Sequence, residues 1–250
     1  METQRSFTKG LFYVIILETR IPMKELYKGK VKTVYQSENP DEVLIGFKDK
    51  VTCGNGKQET VIPGKGAINC EISSILFEKL HRAGIKTHYI DRPQSNVMRC
   101  KKVDIIPLEV VVRNIASGSI IRDTTIQEGT RFQHELIEFY LKDDSKNDPL
   151  LTPDRMNLMG YDNVLFHGSA FQINTVLKEI FNSIDIDLVD FKLEFGLHNR
   201  SIILADEISP DGCRLWKKGS MESMDKDLYR KNTGNILEAY QEILTKLKAL

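Results

Sequence analysis

The sequence lacks an excess of either charge, and it is poor in tryptophan. Lysine plus arginine and aspartate plus glutamate number 35 each among the 250 residues, so the formal net charge is zero, and there is one tryptophan. A chain without net charge has no global field that attracts nucleic acid or a membrane surface, and few aromatic side chains are present to stack on bases. We therefore expect neither partner, and any anion binding must come from a local site.

Paired cysteines and long apolar runs are missing as well. The four cysteines, Cys53, Cys70, Cys100 and Cys213, have neither the close spacing of a zinc site nor that of a CxxC redox motif. Reduced thiols in a cytoplasmic protein are the prediction. Nothing approaches the ~20 apolar residues of a transmembrane helix, and a chain that is 41% hydrophobic and 28% charged is ordinary for a soluble globular protein.

The N-terminal segment is ambiguous. Residues 11–17 form an apolar run after two basic residues, which is similar to the core of a short signal peptide. Glu18 and Arg20 follow directly, however, and no small-residue cleavage site is present. We expect residues 1–24 to be an extension, either an added strand or residues that precede a start at Met23.

The most informative stretch, residues 188–216, carries charges inside strand patterns. Residues 190–196 alternate strictly between polar and apolar, which is the period of a strand whose successive side chains point to opposite faces. Asp190, Lys192 and Glu194 therefore share one face, and the apolar side chains share the other.

A second run, residues 202–208, follows a short polar connection, so the two runs are predicted to pair as an antiparallel hairpin. If even-numbered residues of both strands face the same way, Asp206 lies within roughly 7–8 Å of the charged face. Such a face is often only solvated, but this run continues into a Pro-Asp-Gly turn that carries Asp211 and Arg214. Carboxylates without a fixed cationic partner for each suit Mg²⁺, usually together with substrate phosphates.

The N-terminal third contains a lysine-rich strand pattern. Residues 26–51 are predicted to form two strands around a turn, and the first strand carries Lys28, Lys30 and Lys32 on one face. Gly29 would let a ligand approach the backbone closely. Two interpretations stay open, because lysines on a strand can protect a sheet edge from aggregation or bind phosphate.

A further strand, residues 103–113, is predicted to link two lobes and to carry Glu109 and Arg113 on one face. Small residues follow at 114–119, and their backbone N–H groups beside an arginine would make a phosphate seat. The polar segment 142–149 is either a surface loop or the rim of a site.

Apolar spacing predicts three helices, of which the first ends at Gly84, the second spans residues 166–180 and the third spans residues 228–250. Two mixed α+β lobes with a cleft between them fit this order of elements. The predicted division is an N-terminal extension at 1–24, a first lobe at 25–102 and a second lobe at 103–250.

Several segments in order resemble the SAICAR synthetase (phosphoribosylaminoimidazole-succinocarboxamide synthase) family. They are LYKGKVKTVY, PGKG, FEKLHRAGIKTHYI, IIPLEVVVRNIASGS, LVDFKLEFG, LADEISPDGCRLW and MDKDLYRKNTG. The resemblance implies an antiparallel sheet in the N-terminal, ATP-binding lobe and a larger, ATP-grasp-like C-terminal lobe that binds substrate and metal. It implies a ligase of de novo purine biosynthesis that joins L-aspartate to carboxyaminoimidazole ribonucleotide (CAIR) with ATP, through an acyl phosphate.

The resemblance also implies roles for individual residues. Lys30 and Lys32 would contact ATP phosphates, the backbone at Lys101, Lys102 and Val103 would border the adenine, and Glu194 and Asp206 would hold Mg²⁺ against the phosphates. Asp190 and Lys192 would act at the CAIR carboxylate. Arg113, Ser119 and Arg214 would clamp the ribonucleotide phosphate, Asp211 would lie in the substrate site, Lys142 and Asp148 would form its rim, and residues 52–55 with Lys226 to Arg230 would bind aspartate.

Two departures from the family pattern stand out. Cys53 occupies a position where a small residue such as alanine is usual, and Asp123 with Thr124 replaces part of a basic pattern in residues 120–129. The second departure puts a phosphate contact from that turn in doubt. The resemblance further implies a homo-oligomer, with a dimer favoured.

Two other functional classes stay open at this point. One is a related ATP-dependent ligase or kinase that acts on another carboxylate. The other is a non-enzymatic protein that binds nucleotides or nucleic acid through the lysines at 28–32, although the zero net charge argues against nucleic acid.

Overall fold

A computed structural model describes residues 24–53 and 58–250. The predicted N-terminal strand or leader at residues 11–17 lies outside this range, as do residues 54–57. Among the described residues, no helix combines the length and apolar character needed to cross a bilayer.

The first half of the chain forms a five-stranded antiparallel sheet in the order β1-β2-β3-β7-β6 and a small β4-β5 hairpin. The elements are β1 Glu25–Lys28, β2 Lys32–Gln36, β3 Glu42–Phe47, β4 Lys50–Cys53, β5 Gln58–Val61, α1 Lys65–Arg82, β6 Tyr89–Gln94 and β7 Val97–Lys101. The predicted helix end at Gly84 is confirmed, since α1 stops two residues earlier and Gly84 has a φ of 82°, a conformation that suits glycine.

The second half forms a six-stranded antiparallel sheet in which β10-β9-β8-β11-β12 are consecutive and β13 also pairs with β11. The elements are β8 Asp104–Ile115, α2 Ser119–Asp123, β9 Arg131–Leu141, β10 Leu150–Leu151, α3 Pro153–Leu158, α4 Asn163–Ser183, β11 Ile186–His198, β12 Ser201–Ala205, β13 Cys213–Lys217, α5 Asp227–Lys231 and α6 Ile236–Lys248. The prediction of a mixed α and β fold with antiparallel sheets is confirmed.

The lysine-rich strand predicted near the N-terminus is wrong in one respect. Lys28 ends β1 and Lys32 begins β2, and the Gly29 N–H donates to the Lys32 carbonyl at 2.9 Å to close a tight turn. The alternating pattern runs on through this turn, so the sequence alone did not show it. The lysines therefore do not share one strand face, and Lys30 lies at the tip of a hairpin.

The single C-terminal helix predicted at residues 228–250 is two helices in the structure. The chain leaves α5 at Asn232, which has a φ of 51°, and Asn235 then starts α6 by accepting a hydrogen bond from the Leu237 N–H at 3.0 Å. Asparagine tolerates the left-handed conformation and caps helices well, so these residues break a pattern whose apolar spacing continues.

The two faces of β11 differ in their surroundings, because only the apolar face packs in the core. Phe191, Leu193 and Phe195 are 1%, 1% and 2% exposed, as the predicted apolar face requires. This face packs against α4, where the Phe166 and Phe195 rings meet edge to face with centroids 5.5 Å apart. The charged face of the strand is consequently directed away from the core.

The two halves of the chain share one hydrophobic core. Helix α6 packs on α1, with Ile243 fully buried. Between α1 and β6, the His88 N–H donates to the Leu204 carbonyl at 2.8 Å and the Leu204 N–H donates to the Lys86 carbonyl at 3.1 Å. These bonds fix the first sheet against β12 and so fix the groove that lies between the sheets.

We expect two glycine-to-alanine substitutions in helices to have opposite effects. A Cβ at Gly66 in α1 would lie 2.8 Å from the Phe47 carbonyl oxygen and 2.9 Å from the Lys48 carbonyl carbon, whereas a Cβ at Gly168 in α4 would have no atom within 4 Å. Gly66→Ala should destabilise the protein by about 1–3 kcal/mol, and Gly168→Ala should stabilise it by up to ~1 kcal/mol. Urea unfolding measures both, and a Gly66→Ala midpoint equal to that of the wild type would contradict the packing at α1.

Candidate active site

A cavity of about 620 Å³ opens on the charged face of β11. Its wall is formed by β8, β9, β11, the turn before β13, α5, the tip of the β1-β2 hairpin and β4. The residues predicted from the sequence that line it are Lys30, Arg113, Ser119, Asp148, Asp190, Lys192, Asp211, Arg214, Lys226 and Arg230.

The charged face of β11 is not a solvated face. Asp190 and Glu194 are 4% and 8% exposed, and Lys192 is half-buried. Burial follows from the position of β11 in the sheet, because β8 flanks it on one side and β12 and β13 flank it on the other. Ionised side chains at such positions need partners, and the structure provides them.

Asp190 lies between two arginines that neighbouring strands place opposite it. The register pairs Asp190 with Arg113 of β8 and with Arg214 of β13. Arg113 Nη1 and Arg214 Nη1 lie 3.1 and 2.8 Å from Asp190 Oδ2. Burial raises the pKa of Asp190 and both arginines counter that shift.

Arg113 is held by three further contacts. Its Nε lies 2.7 Å from Glu138 Oε2, its Nη2 donates to the Ser119 hydroxyl at 2.7 Å and its Nη1 reaches the Ser117 carbonyl at 3.4 Å. The small-residue loop predicted after β8 thus lies beside the arginine. Sequence reasoning missed Glu138. It shares a face of β9 with Leu136, which is the partner of Arg113 in the β8-β9 register.

The loop also makes room for Arg214. Gly118 has a φ of 72°, and a Cβ there would lie 2.5 Å from Arg214 Nη1. A side chain at this position would therefore collide with the guanidinium. Asp227 accepts from Arg214 Nε at 3.1 Å and also pairs with Arg230. Burial alone would raise the pKa of Asp227, but the two arginines hold it below its usual value.

Lysines and carboxylates alternate on the other side of Lys192. Lys192 Nζ lies 3.2 Å from Glu109 Oε2 and 3.5 Å from Glu194 Oε1. Lys142, a predicted rim residue, is 2.5 Å from Glu194 Oε2. Burial opposes the charge on Lys192, but Glu109, Asp206 and Glu194 together raise its pKa.

Asp206 reaches this cluster by a different route from the one expected. Glu194 pairs with Ala205 in the β11-β12 register, so the even-numbered residues of the two strands do not share a face. Asp206 follows the end of β12 with a φ of 62°, and that conformation turns its carboxylate onto Lys32. Burial alone would raise the pKa of Asp206, but Lys32 and Lys192 lower it to about 2.

The donor set at Glu194 and Asp206 is compatible with Mg²⁺. Within residues 24–53 and 58–250, no three histidine, cysteine, aspartate or glutamate side chains are grouped as a protein-only metal cage. Magnesium does not require one, because it commonly takes one or two carboxylates and completes its shell with water and substrate phosphates. Each carboxylate faces a lysine, Lys142 or Lys32, that a metal could displace.

Lys101, Lys102 and Val103 do not line this cavity. They form the connection from β7 to β8, where the Lys102 N–H donates to the Asp41 carbonyl at 2.8 Å and the Lys102 carbonyl accepts from His198 Nδ1 at 3.0 Å. Lys101 lines a separate cavity of about 420 Å³. The predicted adenine contact at this connection stays a prediction.

The aspartate pocket expected from the sequence comes together in part. Thr52 of β4 lies on the cavity wall with Lys226 and Arg230, whereas Asn55 falls outside the described residues. Burial lowers the pKa of Lys226. Arg122 also lines the cavity, so the turn at residues 120–129 retains a cation there despite its departure from the family pattern.

Sequence reasoning missed Lys65 and Tyr240, which bind Asp211. Lys65 Nζ is 2.5 Å from Asp211 Oδ2, and the Tyr240 hydroxyl donates to Asp211 Oδ1 at 2.8 Å. The PGKG segment was a signal for Lys65, because a lysine in the first turn of a buried helix opposes the helix dipole and so needs a specific partner. Tyr240 gave no signal beyond its place on the apolar face of a helix.

The fold and the cavity are those of a mixed α/β enzyme with a charged site for small molecules. Beside five carboxylates, the described cavity wall carries seven cations, a local excess that the zero net charge of the chain concealed. They are Lys30, Arg113, Arg122, Lys192, Arg214, Lys226 and Arg230.

Comparison with known proteins gives the family. The family model described as SAICAR synthetase matches residues 25–247. Phosphoribosylaminoimidazole-succinocarboxamide synthases of Nautilia profundicola and Nostoc sp. are 45% and 49% identical, covering 90% and 89% of this chain and 99% and 95% of theirs. The chain belongs to the SAICAR synthetase family.

Solved structures agree with this assignment. The crystal structure of phosphoribosylaminoimidazole-succinocarboxamide synthase from Ehrlichia chaffeensis is 42% identical and superposes with a TM-score of 0.87, over 91% of this chain and 99% of that one. A SAICAR synthetase in complex with ADP is 37% identical with a TM-score of 0.86, over 90% and 97% of the two chains.

We expect Asp225 to make stability fall as the pH rises. Asp225 is fully buried and accepts from the Leu215 and Asp227 N–H groups, each at 2.7 Å. Burial raises its pKa from 3.8 to about 6. Between these values the folded protein keeps a proton that the unfolded chain releases, so the free energy of unfolding decreases with pH across this window, by on the order of 2–3 kcal/mol.

Urea unfolding between pH 3.5 and 6.5 measures this effect, with the wild type compared with Asp225→Asn. The asparagine cannot ionise, so the difference between the two curves isolates Asp225 from the other titrating groups. Asp104→Asn, which changes an exposed carboxylate, is the control. Parallel curves for the wild type and Asp225→Asn would contradict the prediction.

Proposed function

We propose that the chain catalyses the ATP-dependent ligation of L-aspartate to the carboxylate of CAIR, giving SAICAR, ADP and phosphate in de novo purine biosynthesis. Membership of the SAICAR synthetase family over residues 25–247 supports this activity. The observation that carries the proposal is the cavity of about 620 Å³, because its wall carries Lys30 from the predicted ATP site together with side chains predicted for the ribonucleotide and for aspartate.

The reaction has a specific chemical requirement. A carboxylate is a poor acyl donor, since an oxide is not a viable leaving group. Transfer of the γ-phosphoryl group of ATP to the CAIR carboxylate would give an acyl phosphate, and attack by the aspartate amine would release phosphate. Such chemistry requires positioning and charge neutralisation more than a protein nucleophile, and the cavity is rich in fixed cations.

We assign the ATP site to the hairpin and the inter-sheet connection. Lys30 at the hairpin tip and Lys32 at the start of β2 would contact the phosphates, and the backbone at residues 101–103 would border the adenine. Glu194 and Asp206 would hold the metal. When bound, Mg²⁺ would neutralise charge on the phosphates and would take the place of Lys32 on Asp206. Lys32 also pairs with Glu207 at 2.9 Å, and from that position it would contact phosphate.

The ribonucleotide site follows from the arginine pair. Arg113 and Arg214 present guanidinium groups that Asp190 already aligns, and such groups bind phosphate in a bidentate manner. Ser119 supplies a hydroxyl beside Arg113. Lys192 would then lie at the reacting carboxylate, where its charge offsets that of the transferred group, and Asp190 would hold the clamp in place.

The remaining cations suit L-aspartate, which carries two carboxylates. Thr52, Lys226 and Arg230 all lie on the cavity wall and would bind them. The segment 142–149 was predicted to be either a surface loop or the rim of a site. It fits both descriptions, since it is a surface loop whose Asp148 lines the cavity. Lys142 would serve at the rim through Glu194.

We further propose the finer architecture implied by the family. Residues 25–102 would be an ATP-binding lobe, residues 103–250 a larger, ATP-grasp-like lobe for substrate and metal, and residues 1–24 an extension. The segregation of the two large sheets to residues 25–101 and 104–217 supports this division. A cytoplasmic homodimer is the expected assembly.

We expect product formation to require ATP, CAIR, L-aspartate and a divalent metal together. A coupled assay for ADP release and an absorbance assay for SAICAR, with each component omitted in turn, measure this requirement. ADP release with another carboxylate in place of CAIR would instead favour a related ligase or kinase. With ¹⁸O in the CAIR carboxylate, the acyl-phosphate route predicts one ¹⁸O atom in the phosphate released.

We expect Glu194→Gln to lower kcat by at least ~100-fold, because it removes a charge that would hold the metal and even outer-shell changes at metal sites cost about 10- to 100-fold. Glutamine keeps the volume, so circular dichroism should be unchanged. Glu222→Gln is the matched control, since Glu222 is an exposed carboxylate that also pairs with a lysine. Wild-type turnover by Glu194→Gln would refute the metal assignment.

A further inference from the structure

Asp211 on the cavity wall is bound by two buried side chains that do not line the cavity. Lys65 and Tyr240 are 1% and 0% exposed, and neither lines the cavity. Lys65 Nζ bonds one carboxylate oxygen at 2.5 Å and the Tyr240 hydroxyl bonds the other at 2.8 Å. The two contacts fix both oxygens, so the carboxylate cannot rotate without losing a bond.

Lys65 links α1, β4 and Asp211. It is the first residue of α1, and its Nζ also donates to the Lys50 carbonyl of β4 at 3.0 Å. Strand β4 continues to Thr52, which lies on the cavity wall. The close approach of Gly66 to Phe47 and Lys48 holds this first turn of α1 in position. A single ammonium thus sets the distance between β4 and Asp211.

Tyr240 contributes from the other end of the chain. Burial and the neighbouring Asp211 raise its pKa well above the usual value, so the hydroxyl stays protonated and donates at all working pH values. Asp211 is held further by the Ser209 hydroxyl, which accepts from the Asp211 N–H at 3.2 Å. The backbone and both oxygens of Asp211 are therefore fixed by groups outside the cavity.

Charge decides what Asp211 can recognise. The Lys65 ammonium offsets its negative charge, and Lys226, just before α5, also interacts electrostatically with it, so this carboxylate lies in a cationic surrounding. A further ammonium, such as that of L-aspartate, gains little there. A neutral N–H donor can still use the remaining lone pairs of the carboxylate, which a charge-compensated acceptor offers without a strong field.

Asp211 also belongs to the segment that serves the ribonucleotide. The next residue, Gly212, accepts from the Lys192 N–H at 3.0 Å, and Arg214 follows it. A donor on the aminoimidazole ring, held by Lys192 at its carboxylate and by Arg214 at its phosphate, would pass in front of Asp211.

We propose that Lys65 and Tyr240 are positioning residues that hold Asp211 as a charge-compensated acceptor for a neutral N–H group of the ribonucleotide substrate. This inference rests on the proposed function. It places part of the specificity for the ribonucleotide in a helix, α6, that has no residue on the described cavity wall.

Tyr240→Phe tests the proposal with little change in volume. We expect the KM for CAIR to rise about 10-fold, as the loss of one hydrogen bond to a charged group implies, while kcat and the KM for ATP stay within about two-fold of the wild type. Tyr89→Phe is the matched control, because Tyr89 is 3% exposed and its hydroxyl donates to Glu78 at 3.3 Å away from the cavity. It should leave all three KM values unchanged.

Lys65→Arg provides a second variant, which keeps the positive charge but replaces a compact ammonium with a larger planar guanidinium, so the geometry of the contacts with Asp211 and the Lys50 carbonyl changes. We expect the same rise in the KM for CAIR, and calorimetric titration with CAIR gives the affinity directly if turnover is too slow to measure. A wild-type KM for CAIR in Tyr240→Phe, or an equal rise for CAIR, ATP and aspartate, would overturn the inference. An inactive wild-type enzyme would instead refute the proposed function.

Discussion

The site depends on one buried carboxylate that two arginines share. Asp190 lies at the centre of the second sheet, and β8 and β13 each deliver an arginine to the same oxygen. Without Asp190, two guanidinium groups would face each other in a buried position and repel. With it, they are aligned before any substrate arrives, so the free energy of ordering them is spent in folding rather than in binding.

Two lysines at or behind the cavity wall are paired with carboxylates in the same way. Lys192 faces Glu109 and Glu194, and Lys65 faces Asp211. Each of these two lysines is paired with a carboxylate in the free protein, which limits the repulsion between like charges in the fold. An anionic group that binds at such a pair must exchange with the carboxylate or add to the pair, and this exchange favours ligands that satisfy many groups at once.

Sequence patterns predicted the structure of single segments and missed the contacts between distant segments. Alternation in residues 190–196 identified which side chains of β11 share a face, because strand geometry fixes this. It could not give the register with β12, and the partner of Glu194 proved to be Ala205. Apolar spacing likewise located α1 and α6 but not the contact of Lys65 and Tyr240 with Asp211. Such contacts depend on tertiary packing, which no single segment encodes.

The bond between Lys65 and Asp211 spans 146 positions of the chain, and that from Asp211 to Tyr240 spans 29 more. During synthesis the first sheet and α1 emerge long before Asp211 and Tyr240. Until then, Lys65 in α1 lacks its counter-ion. The N-terminal half consequently cannot complete its own interior on the ribosome, and closure of the cavity is coupled to the arrival of α6. Such long loops make closure slow.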